Sequence, residues 1–165
     1  MTRRSFEESR QEGGLHHRLG QLVGEWEGVT RTWFEADKLA DESPWRSTIR
    51  PVLGGRFVVH EYEGTFQGKP LAGMAIYGYH LDPDRFEMAW VDTFHTGTGI
   101  MFSKGPNDGR GYGVLGSYEA PSGPPWGWRT DIQQPAPEQL IITHYNISPE
   151  GQETRAVETV YRRKR

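Results

Sequence analysis

From Gly24 onward the chain reads as about ten short extended runs, separated by turn residues at hairpin spacing and almost free of helical periodicity. That pattern leaves few folds open. Strands joined in succession by short links form one antiparallel sheet, and the sheet's apolar face must be covered. Closing the sheet on itself covers that face and removes both edges. The expected architecture is therefore all-β: a closed or nearly closed antiparallel barrel of about ten strands, preceded by one short helix. A barrel of this size encloses either packed side chains or one small ligand.

The individual runs support this reading. Trp26, Gly28, Thr30, Thr32 and Phe34 alternate with Glu25, Glu27, Val29, Arg31 and Trp33, the period-two pattern of a strand. Residues 35–44 are polar and are expected as a loop, and a short strand over 45–50 is expected to stop at Pro51. Further strands are expected over 56–66, 71–81, 86–94, 99–104, 112–119, 126–133, 139–147 and 154–163. Asp82-Pro83-Asp84-Arg85, Pro106-Asn107-Asp108-Gly109 and Ser148-Pro149-Glu150-Gly151 punctuate them as turns. Upstream, Leu15, Leu19, Leu22 and Val23 form the stripe of a short amphipathic helix that can plug one barrel end, with His16, His17, Arg18 and Gln21 on its outer surface. Residues 1–14 are polar and unpatterned and are expected to be a mobile arm, which leaves 15–165 as a single domain.

Composition narrows the function classes. The 21 glycines and 11 prolines suit many strands and tight turns. With a net charge of −3 and basic clusters only at the two ends, the chain has no stripe to read nucleic acid. No cysteine is present, so a disulfide, a thiolate metal site and a cysteine nucleophile are excluded. No apolar run of about 18 residues and no signal-peptide core occurs, so a cytoplasmic protein without a membrane span is expected. The glycines of Gly97-Thr98-Gly99 and 109–113 do not open a helix and read as turn or bulge residues, not as an anion cradle.

A group of motifs makes the chain similar to a known family. His16-His17-Arg18-Leu19, Gly24-Glu25-Trp26-Glu27-Gly28, Leu53-Gly54-Gly55-Arg56-Phe57, Gly78-Tyr79, Trp90-Val91-Asp92-Thr93, and Glu158 with Tyr161-Arg162-Arg163 span most of the sequence. Together they resemble an uncharacterised bacterial calycin-like domain family, distantly akin to lipocalins and fatty-acid-binding proteins. The resemblance implies an antiparallel barrel with an interior cavity. It also implies that Trp26 packs at the closed end against an arginine of the last strand, Arg162 or the adjacent Arg163. The family carries an acidic residue after Gly-Tyr where this chain has His80, and it has no settled activity to transfer.

Strand alternation sorts the residues that could carry chemistry. On 56–66 the more apolar face directs His60 and Tyr62 inward, and on 86–94 Asp92 shares a face with Phe86, Met88, Trp90 and Phe94. A carboxylate on an apolar wall has its pKa raised by burial unless a donor answers it. Asp92 is therefore either a perturbed site group or the acceptor of a bond from a neighbouring Tyr or Arg. On 126–133 either Trp128 or Arg129 faces inward, and the aromatic face with Trp126 and Ile132 has more area to bury. His60, His80, His95 and His144 sit on separate strands or strand ends without metal-ligand spacing, so no metal site is expected. A single histidine in an apolar barrel can ligate haem, as calycin-like haem binders do; His144 is the residue placed for it, and no other cofactor is expected.

The leading expectation is a protein that holds a small apolar or amphipathic molecule among His60, Tyr62, Tyr77, Met88, Trp90, Asp92, Trp128 and His144. The alternative on the same scaffold is an acid–base enzyme of isomerase, cyclase or lyase type using Asp92, His60 and Tyr62. A filled barrel serving a partner protein is the third reading, and a homodimer is left open.

Overall fold

In the computed structural model, which describes residues 5–165, ten antiparallel strands form one closed ring. They are β1 (Gly24–Glu35), β2 (Lys38–Val52), β3 (Phe57–Phe66), β4 (Lys69–His80), β5 (Arg85–Asp92), β6 (Met101–Pro106), β7 (Tyr112–Tyr118), β8 (Trp126–Ala136), β9 (Gln139–Ile147) and β10 (Glu153–Arg163). Each strand pairs with its neighbours in sequence, and β10 returns to β1 with Gly28 opposite Tyr161. The result is an up-and-down barrel whose inward residues form the core. Among the described residues no helix is long and apolar enough to cross a membrane.

Two expectations about β2 fail for one reason. The polar segment 35–44 is mostly strand, because β1 supplies its hydrogen-bonding partner and its outward charges are answered, Glu42 by Arg31 at 2.8 Å. Only Ala36 and Asp37 form the turn, with Asp37 at φ 59°. Pro51 does not stop the strand either; it pairs opposite Val58 one residue before the end, where a missing donor interrupts little of the ladder. In β1 the alternation slips after Thr32, where the pairing shifts register, so Phe34 is exposed instead of inward. Phe94 likewise lies beyond the end of β5 and is exposed.

The helix α2 (Leu15–Gly20) closes one end of the ring by setting Leu19 into the core, joined by Leu22 from the turn that follows it. Trp26 beneath it is 1% exposed, and its indole Nε1 donates to the Leu22 carbonyl at 2.9 Å. The arginine over its ring is Arg163, 4.3 Å from the centroid, not Arg162. Strand pairing explains the choice: Arg163 lies directly opposite Trp26, whereas Arg162 lies opposite Glu27 and points outward, exposed. Arg163 also donates to the carbonyls of Val23 at 2.6 Å and Gln21 at 2.9 Å, which ties the helix exit to the last strand.

Preceding α2, where the sequence is unpatterned, Phe6–Ser9 forms a one-turn helix, α1, with a capping box between Ser5 and Glu8; residues 1–4 of the expected arm lie outside the described residues. His16 is consequently buried instead of lying on the helix surface. The Phe6 ring meets it edge-on at 4.9 Å, Tyr79 at 5.8 Å, and its Nδ1 bonds Ser9 Oγ at 2.8 Å.

Candidate functional site

The end opposite α2 is the open mouth, bounded by the links after β1, β3, β5, β7 and β9. Towards it the inward positions become aromatic and polar. β3 supplies His60 and Tyr62, β4 Tyr77, β5 Met88, Trp90 and Asp92, β8 Trp128, and β9 His144. Alternation had assigned these faces, and for β8 the structure turns Trp128 inward at 5% exposure. Arg129 lies outside, 4.2 Å over the Tyr145 ring and ion-paired with Asp131 and Glu153.

Trp90, Trp128 and His144 form a stacked cluster, with centroids 5.3 to 5.7 Å apart and planes within 25° of parallel. His95, from the link after β5, leans on both indoles at 5.4 Å. Deeper, the Tyr62 ring stacks on Trp45 at 5.1 Å, and its hydroxyl accepts from Trp90 Nε1 at 2.8 Å. A Cβ on Gly73 would overlap that Tyr62 ring, so the flat packing requires glycine there.

Asp92 is held by neither a tyrosine nor an arginine. Its Oδ1 accepts the backbone N–H groups of Phe94 (3.2 Å), His95 (2.6 Å) and Thr96 (2.7 Å), and its Oδ2 accepts from His95 Nδ1 at 2.7 Å. The expected upward pKa shift is reversed. Burial of this fully enclosed side chain pushes in that direction, but the His95 hydrogen bond and charge, with the backbone donors, outweigh it and hold the carboxyl below its ordinary value. His95 is a member of this cluster that the sequence reading weighed only as a metal ligand. Its signal was local, an Asp-x-x-His-Thr run at a strand end, where an aspartate side chain naturally captures the following amides.

His60 Nδ1 bonds the Tyr77 hydroxyl at 2.7 Å, and its Nε2 is buried with no partner among the described residues. His144 Nδ1 bonds Thr130 Oγ1 at 2.8 Å. Burial lowers both imidazole pKa values to about 3, so both rings are neutral at physiological pH. Trp128 Nε1 is likewise a buried donor without a partner among the described residues.

The interior is nearly filled. A cavity of about 30 Å³ lies between His60, Tyr62, Tyr77, Met88, His95 and His144. Above it the mouth holds a pocket of about 230 Å³, walled by Trp33, Phe34, Trp90, Phe94, His95, Tyr118, Trp128 and Asn146. Trp90 and His95 line both. Two larger open clefts, about 760 and 620 Å³, lie across β1–β5, where charged side chains and also Tyr62 and Asp92 line the first, and beside α1. The aromatic space for a ligand is thus at the mouth; of the residues expected deeper, Tyr77 and Met88 border only the small inner cavity, and Tyr62 borders both it and the larger outer cleft.

Comparison with known proteins agrees with this architecture. Residues 11–163 match the family described as Protein of unknown function (DUF1579). The chain belongs to that family. No curated protein matches it. Among solved structures, Rv2717c from M. tuberculosis superposes with a TM-score of 0.60 at 14% identity, covering 90% of this chain and 96% of its own. The S-type phycobiliprotein lyase CPES from Guillardia theta superposes with a TM-score of 0.59 at 12% identity, covering 98% and 99%. At these identities the likeness is one of fold.

In this DUF1579 barrel His80 lies on the outer face, 3.1 Å from Glu87 Oε1, so the replaced acidic position is remote from both cavities. Haem does not fit the residues present. Both indoles stack on His144, and the one interior space that it lines, about 30 Å³, falls far below the roughly 300–1,000 Å³ that enclose larger ligands. Among the described residues no group of three or more His, Asp or Glu side chains is placed to hold a metal ion.

Proposed function

We propose that the barrel binds a small planar molecule of one or two rings at its open mouth, with its flat apolar face against Trp90 and Trp128 and a polar edge towards His95. The single observation that carries the reading is the unanswered Nε1–H of the buried Trp128 in the wall of an aromatic pocket of about 230 Å³. Buried donors are nearly always paired, and a ligand acceptor would pair this one. A pocket of that volume exceeds the roughly 150 Å³ that accommodates benzene and stops short of drug-sized ligands. Asn146 adds a polar edge: its Oδ1 accepts from the Tyr118 hydroxyl at 2.5 Å, leaving its amide donors for a ligand.

Tryptophan fluorescence titrated with indole, 2-naphthol and phenylacetate tests this. A saturable change is expected for at least one of them, and Trp128→Phe should remove most of the change and weaken binding about tenfold, the order of one charge-free hydrogen bond plus ring contact. A panel of such compounds without any saturable response up to millimolar concentration refutes the proposal.

A further inference from the structure

Three imidazoles meet at the inner cavity, each with its Nδ1 tied to a neighbour. His60 Nδ1 is bonded to the Tyr77 hydroxyl, and its buried Nε2 has no partner among the described residues. His144 Nδ1 is bonded in the same way to Thr130 Oγ1. His95 Nδ1 is bonded to the Asp92 carboxylate. All three rings border the same cavity, which at about 30 Å³ matches the share of liquid volume of one water molecule, and hence one oxygen atom. Three imidazoles thus line a space of oxygen size, one of them with a buried Nε2 that has no partner among the described residues, while His95 also lines the mouth pocket, where its side chain is 20% exposed.

We propose that this arrangement catalyses proton transfer at the carbon next to a carbonyl group, on a small enolisable ketone or aldehyde whose ring occupies the mouth. The inference rests on reading the mouth as a ligand pocket. The carbonyl oxygen enters the inner cavity and accepts from His60 Nε2–H and His144 Nε2–H. His95 Nε2 removes the adjacent proton: the C–H bond breaks, its electron pair forms the C=C bond, and the carbonyl π pair moves onto the oxygen held by the two donors. Asp92 balances the imidazolium that forms. Return of a proton from His95 to carbon completes an exchange or isomerisation in which nothing is oxidised or reduced. Burial keeps both donor imidazoles neutral, the form that donates a hydrogen bond without surrendering a full charge. Donors fixed at the point where negative charge develops, together with an oriented base, are the two parts that enolisation requires.

The test is deuterium wash-in. Incubate 2-indanone with the full chain in D₂O at neutral pD, follow the α-protons by NMR, and titrate the same ketone against tryptophan fluorescence. The expected result is exchange that saturates with 2-indanone, is blocked by the non-enolisable indane, and falls about 10²–10⁴-fold in His95→Gln, the usual share of a general base. In Asp92→Asn, where Asp92 acts as a positioning residue, kcat for exchange should fall while KM for 2-indanone stays unchanged; a purely structural role would move both together. Ketone binding accompanied by exchange no faster than in buffer overturns the inference while the pocket reading stands. Failure of the ketone to bind while indole or 2-naphthol binds overturns the inference alone, and failure of every one of these compounds overturns both. If His95→Gln does not fold, the wild type decides: exchange that indane leaves untouched refutes the site.

Discussion

The contact between Trp26 and Arg163 makes the sharpest prediction about what holds the barrel shut. Trp26→Ala removes a fully buried indole, and such truncations cost about 3–5 kcal/mol, the larger values applying where the surroundings cannot collapse. Here they cannot collapse freely. The ring is roofed by the Arg163 guanidinium at 4.3 Å, whose own nitrogens are held by the carbonyls of Val23 and Gln21, and floored by the core. The substitution also strips the Leu22 carbonyl of its donor, adding about 1 kcal/mol. The upper half of the range is therefore expected, about 4–5 kcal/mol, equivalent to a fall in Tm of roughly 8–20 °C for a chain of this length. Urea unfolding followed by far-ultraviolet circular dichroism measures it, with Trp26→Phe as the companion variant that keeps much of the ring and loses the hydrogen bond. A loss below about 1 kcal/mol for Trp26→Ala would refute the account of the closed end.

Arg163→Ala should destabilise by about 1.5–3 kcal/mol in the same assay, since it orphans several buried-edge carbonyls, whereas Arg162→Ala should stay within about 0.5 kcal/mol; equal effects would contradict the strand pairing. Acid should unfold the protein early. His60 and His144 titrate near 3 when folded and near 6.5 when unfolded, so the unfolded chain binds more protons between those values. Stability is then complete above about pH 6.5 and falls as pH drops towards 3, with a slope of up to about 1.4 kcal/mol per pH unit for each histidine. Asp92 adds loss in the same direction below its ordinary carboxyl value, because its folded pKa is depressed. Urea midpoints at pH 7, 6 and 5 should decline, and a flat profile would contradict neutral buried histidines. Gly73→Ala should cost several kcal/mol or shift the Trp45 and Trp90 fluorescence, since its Cβ would overlap the Tyr62 ring; an unperturbed variant would show that the ring is free to move.

Much of the fold was legible because strand alternation and turn chemistry are local properties. The inward faces of β3, β5 and β8 followed from which side carried His60, Met88 or Trp128, and a one-residue error would have placed charges such as Glu61 and Arg129 in the core. The polar stretch of β2 was illegible for the converse reason. Lys38 to Ser43 carry little hydrophobic pattern, and their strand conformation comes from hydrogen bonds donated by β1, a partner that no local window contains. Arg163 and Arg162 differ in face only once the pairing of β10 with Trp26 is set. At the site, Asp92 was found and its environment was not. The sequence marks a carboxylate among aromatic residues, but the fold of 93–96, which bends three amides and an imidazole onto it, depends on where β5 ends. The burial of His16 was hidden in the same way, since it required α1 to fold back over α2.

The ring of strands is complete but not uniformly joined. β6 and β7 are in register at Lys104 and Leu115 alone, whereas the neighbouring pairs β5–β6 and β7–β8 are matched along six and seven positions. Where the ladder is matched at so few positions, breathing of this barrel is expected to concentrate. The ends of β6 and β7 at the mouth are Met101 and Tyr118, both in the pocket wall. A transient slit there would widen the entrance while the Trp26 end, locked by Arg163, stays shut. The protein would then admit its guest sideways between two strands, as a bag opens along its loosest stitch, and amide exchange along 101–106 and 112–118 would outpace that of every other strand.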